Sequence, residues 1–249
     1  MLVLLPPSET KRPGGDGPPL RLDALAMPSL RAPREAVIDA LVALSSDEDE
    51  AARVLKLSAK RRHEIADNAA LRSAATMPAI DRYTGVLFDA LDAGSLGATA
   101  RSWLAAHVAI HSAPLGPIGA LNGIPTYRLA AGTSIPGLPA LRRVWAGAVT
   151  SALSTLAPSF VLDLRSEAYA ALGPVPEAVE SSYVRVVTGG RDSPVRALNH
   201  FNKHAKGELV RSLATTAPEI DSVGDFTAWA EASGWDVREG APGEIALFV

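Results

Sequence analysis

The chain opens with the stretch Met1-Leu-Val-Leu-Leu-Pro-Pro-Ser-Glu-Thr-Lys11, in which four consecutive Leu and Val residues stop at two prolines. A short apolar run closed by proline predicts a buried first strand. Residues 6–19 hold five prolines and three glycines, which excludes a helix and predicts a loop. The fold is therefore expected to start from a buried strand that ends in a polar loop.

Outward from this strand, helical and strand-like patterns interleave. Residues 160–164 predict a second buried strand, and residues 108–110 are strand-like. Two C-terminal hairpins are predicted, one joining 183–188 to 195–198 and one joining 235–238 to 245–249. Helices or helical turns are predicted at residues 33–44, 51–57, 58–75, 81–91, 96–106, 138–157, 166–172, 201–213 and 226–232.

These elements predict an α+β fold, with one domain over residues 1–249 and a mixed β-sheet flanked by helices and C-terminal hairpins. Ser45 and Glu48 form a capping-box pattern ahead of residue 51, and Asp225 is expected to cap the helix at 226–232. Residues 113–137 are rich in Pro and Gly and predict a long structured loop, which in a compact domain tends to be functional.

The composition is that of a folded chain without cysteine. Of the 249 residues, 47% are hydrophobic and 20% are charged, which excludes disorder throughout. The net charge of −3 excludes a generally basic surface for nucleic acid, although not a local basic patch. The lack of cysteine excludes disulfides, thiol catalysis and iron–sulfur clusters. We expect a cytoplasmic protein without membrane contact, because no signal peptide or membrane-length apolar run is present.

The common nucleotide-binding and serine-hydrolase motifs are absent from the sequence. No Gly-Lys-Ser/Thr occurs, and no Gly-x-Gly-x-x-Gly follows a strand. The segment Gly132-Thr-Ser-Ile-Pro136 resembles a nucleophile elbow but lacks its second glycine. The sequence therefore predicts no cofactor and leaves catalysis unassigned.

Two histidine pairs have the spacing of metal ligands on a helix, where residues four apart share one face. They are His107 with His111 and His200 with His204. Neither pair carries the glutamate of a His-Glu-x-x-His motif, and the sequence does not bring a third ligand near. The prediction is no metal site, with direct iron binding kept as an alternative.

A basic segment lies in the C-terminal third, between residues 185 and 211. On a helix over residues 201–213, Phe201, Ala205, Leu209 and Leu213 fall on one apolar stripe. Lys203, His204, Lys206 and Arg211 fall opposite, around Gly207, which is expected to let a backbone or a phosphate come close. This face predicts an anion or DNA site, and a solvated amphipathic helix is the alternative. The basic residues of the segment are Arg185, Arg191, Arg196, Lys203, Lys206 and Arg211, against Asp192 and Glu208.

Tyrosine and arginine side chains beside loops form a second candidate site. A Tyr/Arg cluster can stack a base or hold a phosphate, and it can equally tie a loop down. The candidate pocket consists of Tyr83, Tyr127, Asp163, Ser166 and Tyr169, with Arg128 beside it.

Five segments, taken in order, carry a known pattern over nearly the full length. They are Leu4-Leu-Pro-Pro-Ser-Glu-Thr-Lys11, Arg82-Tyr-Thr-Gly-Val-Leu-Phe88, Pro125-Thr-Tyr-Arg-Leu129 with Gly132, Val161-Leu-Asp-Leu-Arg-Ser-Glu-Ala-Tyr169, and Phe201-Asn-Lys-His-Ala-Lys-Gly207 with Arg211. Together they resemble the YaaA family of bacterial peroxide stress proteins. Two departures stand out: Ala130-Ala131 replaces the Glu-Met that often follows Tyr-Arg-Leu, and Asn122 replaces an acidic residue.

The resemblance implies a cytoplasmic protein that protects cells from hydrogen peroxide by limiting free iron and the iron-driven damage to DNA. It also implies a single α+β domain that binds DNA through a positive cleft and a helix-hairpin-helix-like element. Leu115-Gly-Pro-Ile-Gly119 is the candidate hairpin, whose backbone amides would hold phosphates without reading sequence.

Two main hypotheses follow. The first is a non-catalytic stress protein that binds DNA without sequence preference, through Arg128, Lys203, Lys206, Gly207 and Arg211. The alternative is an enzyme that acts on a nucleobase or nucleotide-like small molecule in the candidate pocket.

Overall fold

The computed structural model describes residues 1–187 and 199–249, with the side chains of residues 1–187 and 201–249. Its strands form one large mixed sheet and one small antiparallel sheet, which confirms the α+β class. In chain order the strands are β1 (Leu2–Leu5), β2 (Gly17–Pro19), β3 (Ala75–Pro78), β4 (Val108–Ser112), β5 (Gly116–Gly119), β6 (Gly123–Ile124), β7 (Val161–Asp163), β8 (Ser181–Val187), β9 (Asp236–Glu239) and β10 (Glu244–Phe248).

The large sheet has a parallel centre and antiparallel edges. Within the described residues its order is β5-β4-β1-β7-β8-β10-β9, and the small sheet has the order β2-β3-β6. Strands β4, β1, β7, β8 and β10 run parallel, whereas β5 and β9 are antiparallel to their neighbours. Every residue of β1, β4 and β7 is buried, which explains their near-continuous apolar sequence.

The strand order reverses between β1 and β7. From β1 the chain continues to β4, its neighbour on one side, whereas from β7 it continues to β8 on the other side. The two connections therefore diverge and leave a crevice outside the carboxyl ends of β1 and β7. In open sheets with parallel strands, such a switch point is where ligands bind.

Helices cover the sheet and supply the remaining core. Helix packing buries large side chains such as Val37, Leu41, Trp145 and Phe226. In chain order the helices are α1 (Arg31–Leu44), α2 (Glu48–Val54), α3 (Glu64–Ala69), α4 (Ala79–Arg82), α5 (Val86–Leu91), α6 (Ala98–His107), α7 (Leu141–Leu156), α8 (Glu167–Ala170), α9 (Asn199–Thr216) and α10 (Val223–Ala232). None of these helices is both long enough and apolar enough to cross a membrane.

Several predicted boundaries were wrong. Residues 58–75 are not one helix, because α3 covers only part of them and β3 begins at Ala75. The loop predicted at 113–137 contains β5 and β6. The C-terminal hairpin of β9 and β10 is confirmed. For the other predicted hairpin, residues 181–187 form β8, and the turn and second strand lie outside the described residues.

Both predicted helix caps were also wrong. The Ser45 hydroxyl donates to Leu41 O at 2.8 Å on the last turn of α1, so it does not cap the next helix. Asp47 caps α2, and its Oδ1 accepts from the Glu50 N–H at 3.0 Å. At α10 the cap is Ser222, whose Oγ accepts from the Asp225 N–H at 3.1 Å. Each cap therefore lies N-terminal to the helix start that the apolar pattern indicated.

Gly207 allows α9 to pack closely on α5. A Cβ at this position would lie 2.2 Å from Leu87 O and 2.8 Å from Ala90 Cβ. The expected close approach of a backbone is therefore present, but it comes from α5 and not from a ligand. Gly207 belongs to the protein core, which corrects its assignment to a DNA-binding face.

We predict that Gly207→Ala destabilises the protein by about 1–3 kcal/mol, because the new methyl overlaps rigid backbone of α5. The matched control is Gly147→Ala on the exposed side of α7, where a Cβ meets nothing within 4 Å. The control is expected to stabilise by up to about 1 kcal/mol, since alanine has the higher helix propensity. Urea denaturation measures both changes. Equal effects of the two substitutions would contradict the packing role.

Candidate functional site

A groove of about 930 Å³ occupies the switch point. It is lined by residues 6–10 after β1 and by Leu164 and residues 166–169 after β7. Residues 84–88 at the start of α5, β8 residues 183–187, and Asn202, Lys203 and Lys206 on α9 complete the lining. We call this crevice the switch-point groove.

The segment after β7 is held in place by Arg165, a fully buried arginine that no pattern in the sequence indicates. Arg165 forms a two-pronged pair with the Asp163 carboxylate, through Nε at 2.9 Å and Nη2 at 2.6 Å. Arg165 Nη1 also donates to Gly173 O at 2.8 Å and lies 3.0 Å from His111 Nδ1. Asp163 is therefore a structural partner beneath the groove and does not line it. The only hint in the sequence was an Asp and an Arg two residues apart at a strand end.

The alternative in which His107 and His111 share one helix face does not hold. His107 ends α6 and its Nδ1 lies 3.0 Å from Met1 O, whereas His111 is inside β4. Burial and the charge of Arg165 lower the pKa of His111 well below its ordinary value, so the ring is neutral. Of the other pair, the side chain of His200 lies outside the described residues, and His204 lies beside Glu208. The described residues contain no group of three His, Asp or Glu side chains suited to a metal.

Two of the predicted pocket tyrosines form a buried hydroxyl chain next to the groove. The hydroxyls of Tyr83 and Tyr127 lie 2.7 Å apart, and Ser112 Oγ donates to Tyr127 at 3.1 Å. Burial raises the pKa of both phenols, so both stay neutral. The structure therefore brings Tyr83 and Tyr127 together, but neither lines the groove. Ser166 and Tyr169 do line it.

Lys11 lies against this tyrosine pair. Its Nζ is 4.0 Å from the ring centre of Tyr127 and 5.4 Å from that of Tyr83. The ammonium donates to Ser8 O at 3.1 Å and Glu9 O at 3.3 Å, so it holds the loop after β1 in place. Burial lowers the pKa of Lys11 to about 7. In the sequence Lys11 is distinguished only as part of the family motif, since a lone lysine in a Pro-rich loop gives no sign of its surroundings.

Arg128 is tied to neighbouring loops. Its Nη1 donates to Glu9 Oε2 at 2.9 Å, and its Nε lies 3.6 Å from Glu64 Oε2. The backbone N–H and carbonyl of Arg128 are both bonded to the Asn68 amide, at 2.7 Å and 3.0 Å. The predicted anion-binding guanidinium is therefore engaged by two carboxylates.

The residues of the predicted basic face of α9 differ in their exposure to solvent. Lys206 is only 5% exposed, and its Nζ donates to Leu164 O at 3.1 Å. Arg211 bonds to the carbonyls of Leu91 and Asp92 at 2.9 Å and 3.0 Å. Lys203 is exposed at the groove. The prediction that one side of α9 is buried and the other exposed was wrong. Because α9 packs against α5, α6 and β8, residues on its basic side are also covered.

Other members of the predicted basic segment and stripe had different outcomes. Ala205, Leu209 and Leu213 are buried as expected, whereas Phe201 is 57% exposed. Arg191 and Arg196 lie outside the described residues.

The helix-hairpin-helix-like candidate was wrong. Residues 116–119 form β5, which pairs antiparallel with β4 over four residues. Strand pairing and burial leave this segment no open phosphate cradle. Asn122, which replaces an acidic residue of the family pattern, accepts from the N–H groups of Gly119 at 2.8 Å and Ala26 at 2.9 Å. Its amide therefore organises the turn after β5.

Near the groove, two amines are neutralised in part by burial. One is Lys11, described above. The other is Lys206, whose pKa is lowered to about 8 by burial and by the nearby Arg185 charge, while Asp163 has the opposite effect. Lys206 Nζ also lies 5.4 Å from the ring centre of Tyr183. Ser166 and Tyr169 add hydroxyl groups. The groove therefore presents cationic, aromatic and hydroxyl-bearing side chains, and of the two amines with a lowered pKa only Lys206 lines it.

The fold and site define an α+β protein with a crevice at the carboxyl edge of a largely parallel sheet. Comparison with known proteins then identifies the family. Residues 1–241 match the family model described as "Peroxide stress protein YaaA". A UPF0246 protein of Corynebacterium efficiens is 44% identical over 100% of both chains, and one of Streptomyces coelicolor is 41% identical over 97% of this chain and 94% of its own. The chain belongs to the YaaA family of peroxide stress proteins.

We predict that the stability of the protein relative to Lys11→Met rises with pH. Between about pH 7 and 10.5 the unfolded chain binds the Lys11 proton and the folded chain does not. The free energy of unfolding of the unaltered protein therefore rises with pH relative to that of the variant. The gain is expected to be on the order of a few kcal/mol. Urea denaturation at pH 6 and pH 9 measures it.

The matched control is Lys60→Met, which removes an exposed lysine. Its effect on stability is expected to be small at both pH values. A difference between the protein and Lys11→Met that stays constant with pH would contradict the lowered pKa of the Lys11 amine.

Proposed function

We propose that this chain binds a nucleotide unit in the switch-point groove, either as a free nucleotide or as part of a DNA strand, in the cytoplasm of cells under peroxide stress. The observation that carries the proposal is the coincidence of the groove with the reversal of strand order between β1 and β7. Crevices at this position of parallel sheets are formed by the fold itself and receive ligands.

The lining has the chemistry of a nucleotide site. Lys203 and Lys206 present amines to the groove, and Arg185 adds a guanidinium that is paired with Glu244 at 2.7 Å and Glu167 at 3.1 Å. Amines and guanidinium groups bind phosphate, and aromatic rings such as that of Tyr183 stack on bases. The volume of about 930 Å³ lies within the range of small-molecule sites.

For DNA, the groove favours an unpaired nucleotide over a smooth duplex. The net charge is −3, and Lys206, Gly207 and Arg211 are bound within the fold rather than spread over a basic face. A base that is already unpaired enters a pocket at the lowest cost in stacking energy. Strand binding is expected to depend on salt because phosphate contacts release counterions.

We extend the proposal to the role that the family's name suggests. A protein that covers unpaired or damaged nucleotides shields them from hydroxyl radicals, which iron generates from peroxide. This role limits iron-driven damage at the DNA and requires no metal ligand in the protein.

A second candidate function is catalysis on a nucleotide-like substrate. The observation that favours it is the pair of amines, Lys11 and Lys206, whose pKa values burial lowers to about 7 and about 8. Amines that are partly neutral near pH 7 act as nucleophiles or bases.

We predict that a fluorescein-labelled single strand binds more tightly than the matching duplex, with affinity that falls as salt rises. Lys206→Met is expected to weaken strand binding by about tenfold, the effect of roughly 1.4 kcal/mol. Fluorescence anisotropy across a salt series measures strand binding. Calorimetric titration with deoxyadenosine monophosphate measures binding of a free nucleotide.

Lys60→Met, which changes an exposed lysine away from the groove lining, is the matched control and is expected to bind as the unaltered protein does. Binding that is identical in Lys206→Met and the unaltered protein would refute the groove as the site. Absence of binding to both the strand and the free nucleotide would refute the proposed function.

A further inference from the structure

We propose that Lys206 is a nucleophile that forms an imine with an aldehyde-bearing sugar phosphate in the switch-point groove. The inference rests on the proposed nucleotide site and names its substrate class, a deoxyribose phosphate that has lost its base. Such a sugar opens to expose an aldehyde carbon, whereas an intact nucleoside does not.

The position of Lys206 carries the proposal. Its side chain is 95% buried by the protein, yet it lines the groove beside Leu164 and Tyr183. In the described part of the chain its Nζ has one hydrogen bond, to Leu164 O at 3.1 Å, and no carboxylate within ion-pair distance. The carboxylate of Asp163 is instead taken by Arg165. The amine is therefore held in place by a backbone carbonyl and not by a direct ion pair.

The helix that carries Lys206 is rigidly placed. Gly207, the next residue, packs against the backbone of Leu87 so closely that no Cβ fits. Arg211 fixes the following turn by bonds to the carbonyls of Leu91 and Asp92. A nucleophile on a fixed helix needs little reorganisation to reach a ligand in the groove.

The five lysines of the chain differ in their surroundings. Lys56, Lys60 and Lys203 are exposed. Lys11 is covered by the loop of residues 8–10, to which its Nζ is bonded, and it does not line the groove. Lys206 alone among the lysines in the described residues is both buried and part of the groove lining.

The lowered pKa of Lys206 comes from its burial. Burial lowers this pKa to about 8, Asp163 on β7 opposes the change, and Arg185 on β8 adds to it. Near neutral pH a larger fraction of such an amine is uncharged than of an ordinary exposed lysine.

The reaction balances without a redox partner. The neutral Nζ attacks the aldehyde carbon, a C–N bond forms, and the carbonyl π electrons move to oxygen, which takes a proton from nitrogen. The carbinolamine hydroxyl then leaves as water together with the second proton of the nitrogen, and the nitrogen electron pair forms the C=N bond of the imine. The phosphate of the sugar meets Lys203 and Arg185, which line the same groove.

The test uses the full chain with two probes, a single-stranded oligonucleotide that carries one abasic deoxyribose and free 2-deoxyribose 5-phosphate. Borohydride reduces any imine to a stable amine, and peptide mass spectrometry identifies the modified lysine. We expect modification at Lys206 in at least one arm, and the arm that reacts identifies the strand or the free sugar phosphate as the source. The initial rate is expected to rise with pH around a midpoint near 8.

Lys206→Met is expected to lower the adduct yield by about tenfold or more, whereas Lys60→Met leaves it unchanged. Mapping on the unaltered protein decides the matter even if Lys206→Met does not fold. Modification of Lys11 or of exposed lysines without Lys206 would overturn the proposal. If the oligonucleotide binds in the anisotropy assay but forms no adduct, the proposed imine is refuted and the nucleotide site is not. If neither binding nor an adduct is seen, the nucleotide site is refuted as well.

Discussion

The guanidinium of Arg165 is fully buried, and four of its five N–H groups bond to Asp163, His111 and Gly173. These partners join the end of β7, the middle of β4 and the turn after α8. A paired charge and hydrogen-bonded donors offset the cost of burying an arginine, and both are present here. The position of Leu164 and Ser166, and with it one wall of the switch-point groove, depends on this anchor.

The two strands at the switch point share a second feature. The segment that leaves β1 is held by Lys11, which bonds to Ser8 O and Glu9 O, and the segment that leaves β7 is held by Lys206, which bonds to Leu164 O. In both cases an ammonium group satisfies backbone carbonyls at a strand end. Burial lowers the pKa of both amines, to about 7 for Lys11 and about 8 for Lys206.

The sequence predicts those parts of the fold whose pattern is local. The apolar runs at β1 and β7 and the hairpin of β9 and β10 were recognised because burial and turn chemistry leave a short-range signature. Residues 115–119 were interpreted as a phosphate-binding hairpin within a loop, because the pairing of this Gly/Pro-rich segment with β4 leaves no local pattern. Helical periodicity identified the inner stripe of α9 but not its coverage by several elements at once.

The site was predictable only in part, for the same reason. Ser166 and Tyr169 line the groove as expected, because polar residues directly after a buried strand meet at one sheet edge. Tyr83 and Tyr127 pair beside it, and Asp163 supports it from below, which no spacing along the chain reveals. Lys206 was predicted to lie on an exposed anion-binding face, but it lies in the groove wall. Its environment is formed by α5 and β7, which are far away in sequence.

Hydrogen–deuterium exchange with and without a single-stranded oligonucleotide tests the central claim most directly, because it locates the ligand without altering the protein. The account predicts slower exchange in residues 8–10 and 166–169 and in β8, the segments that surround the switch point. Binding accompanied by protection confined to another surface, such as the exposed side of α7, would contradict it.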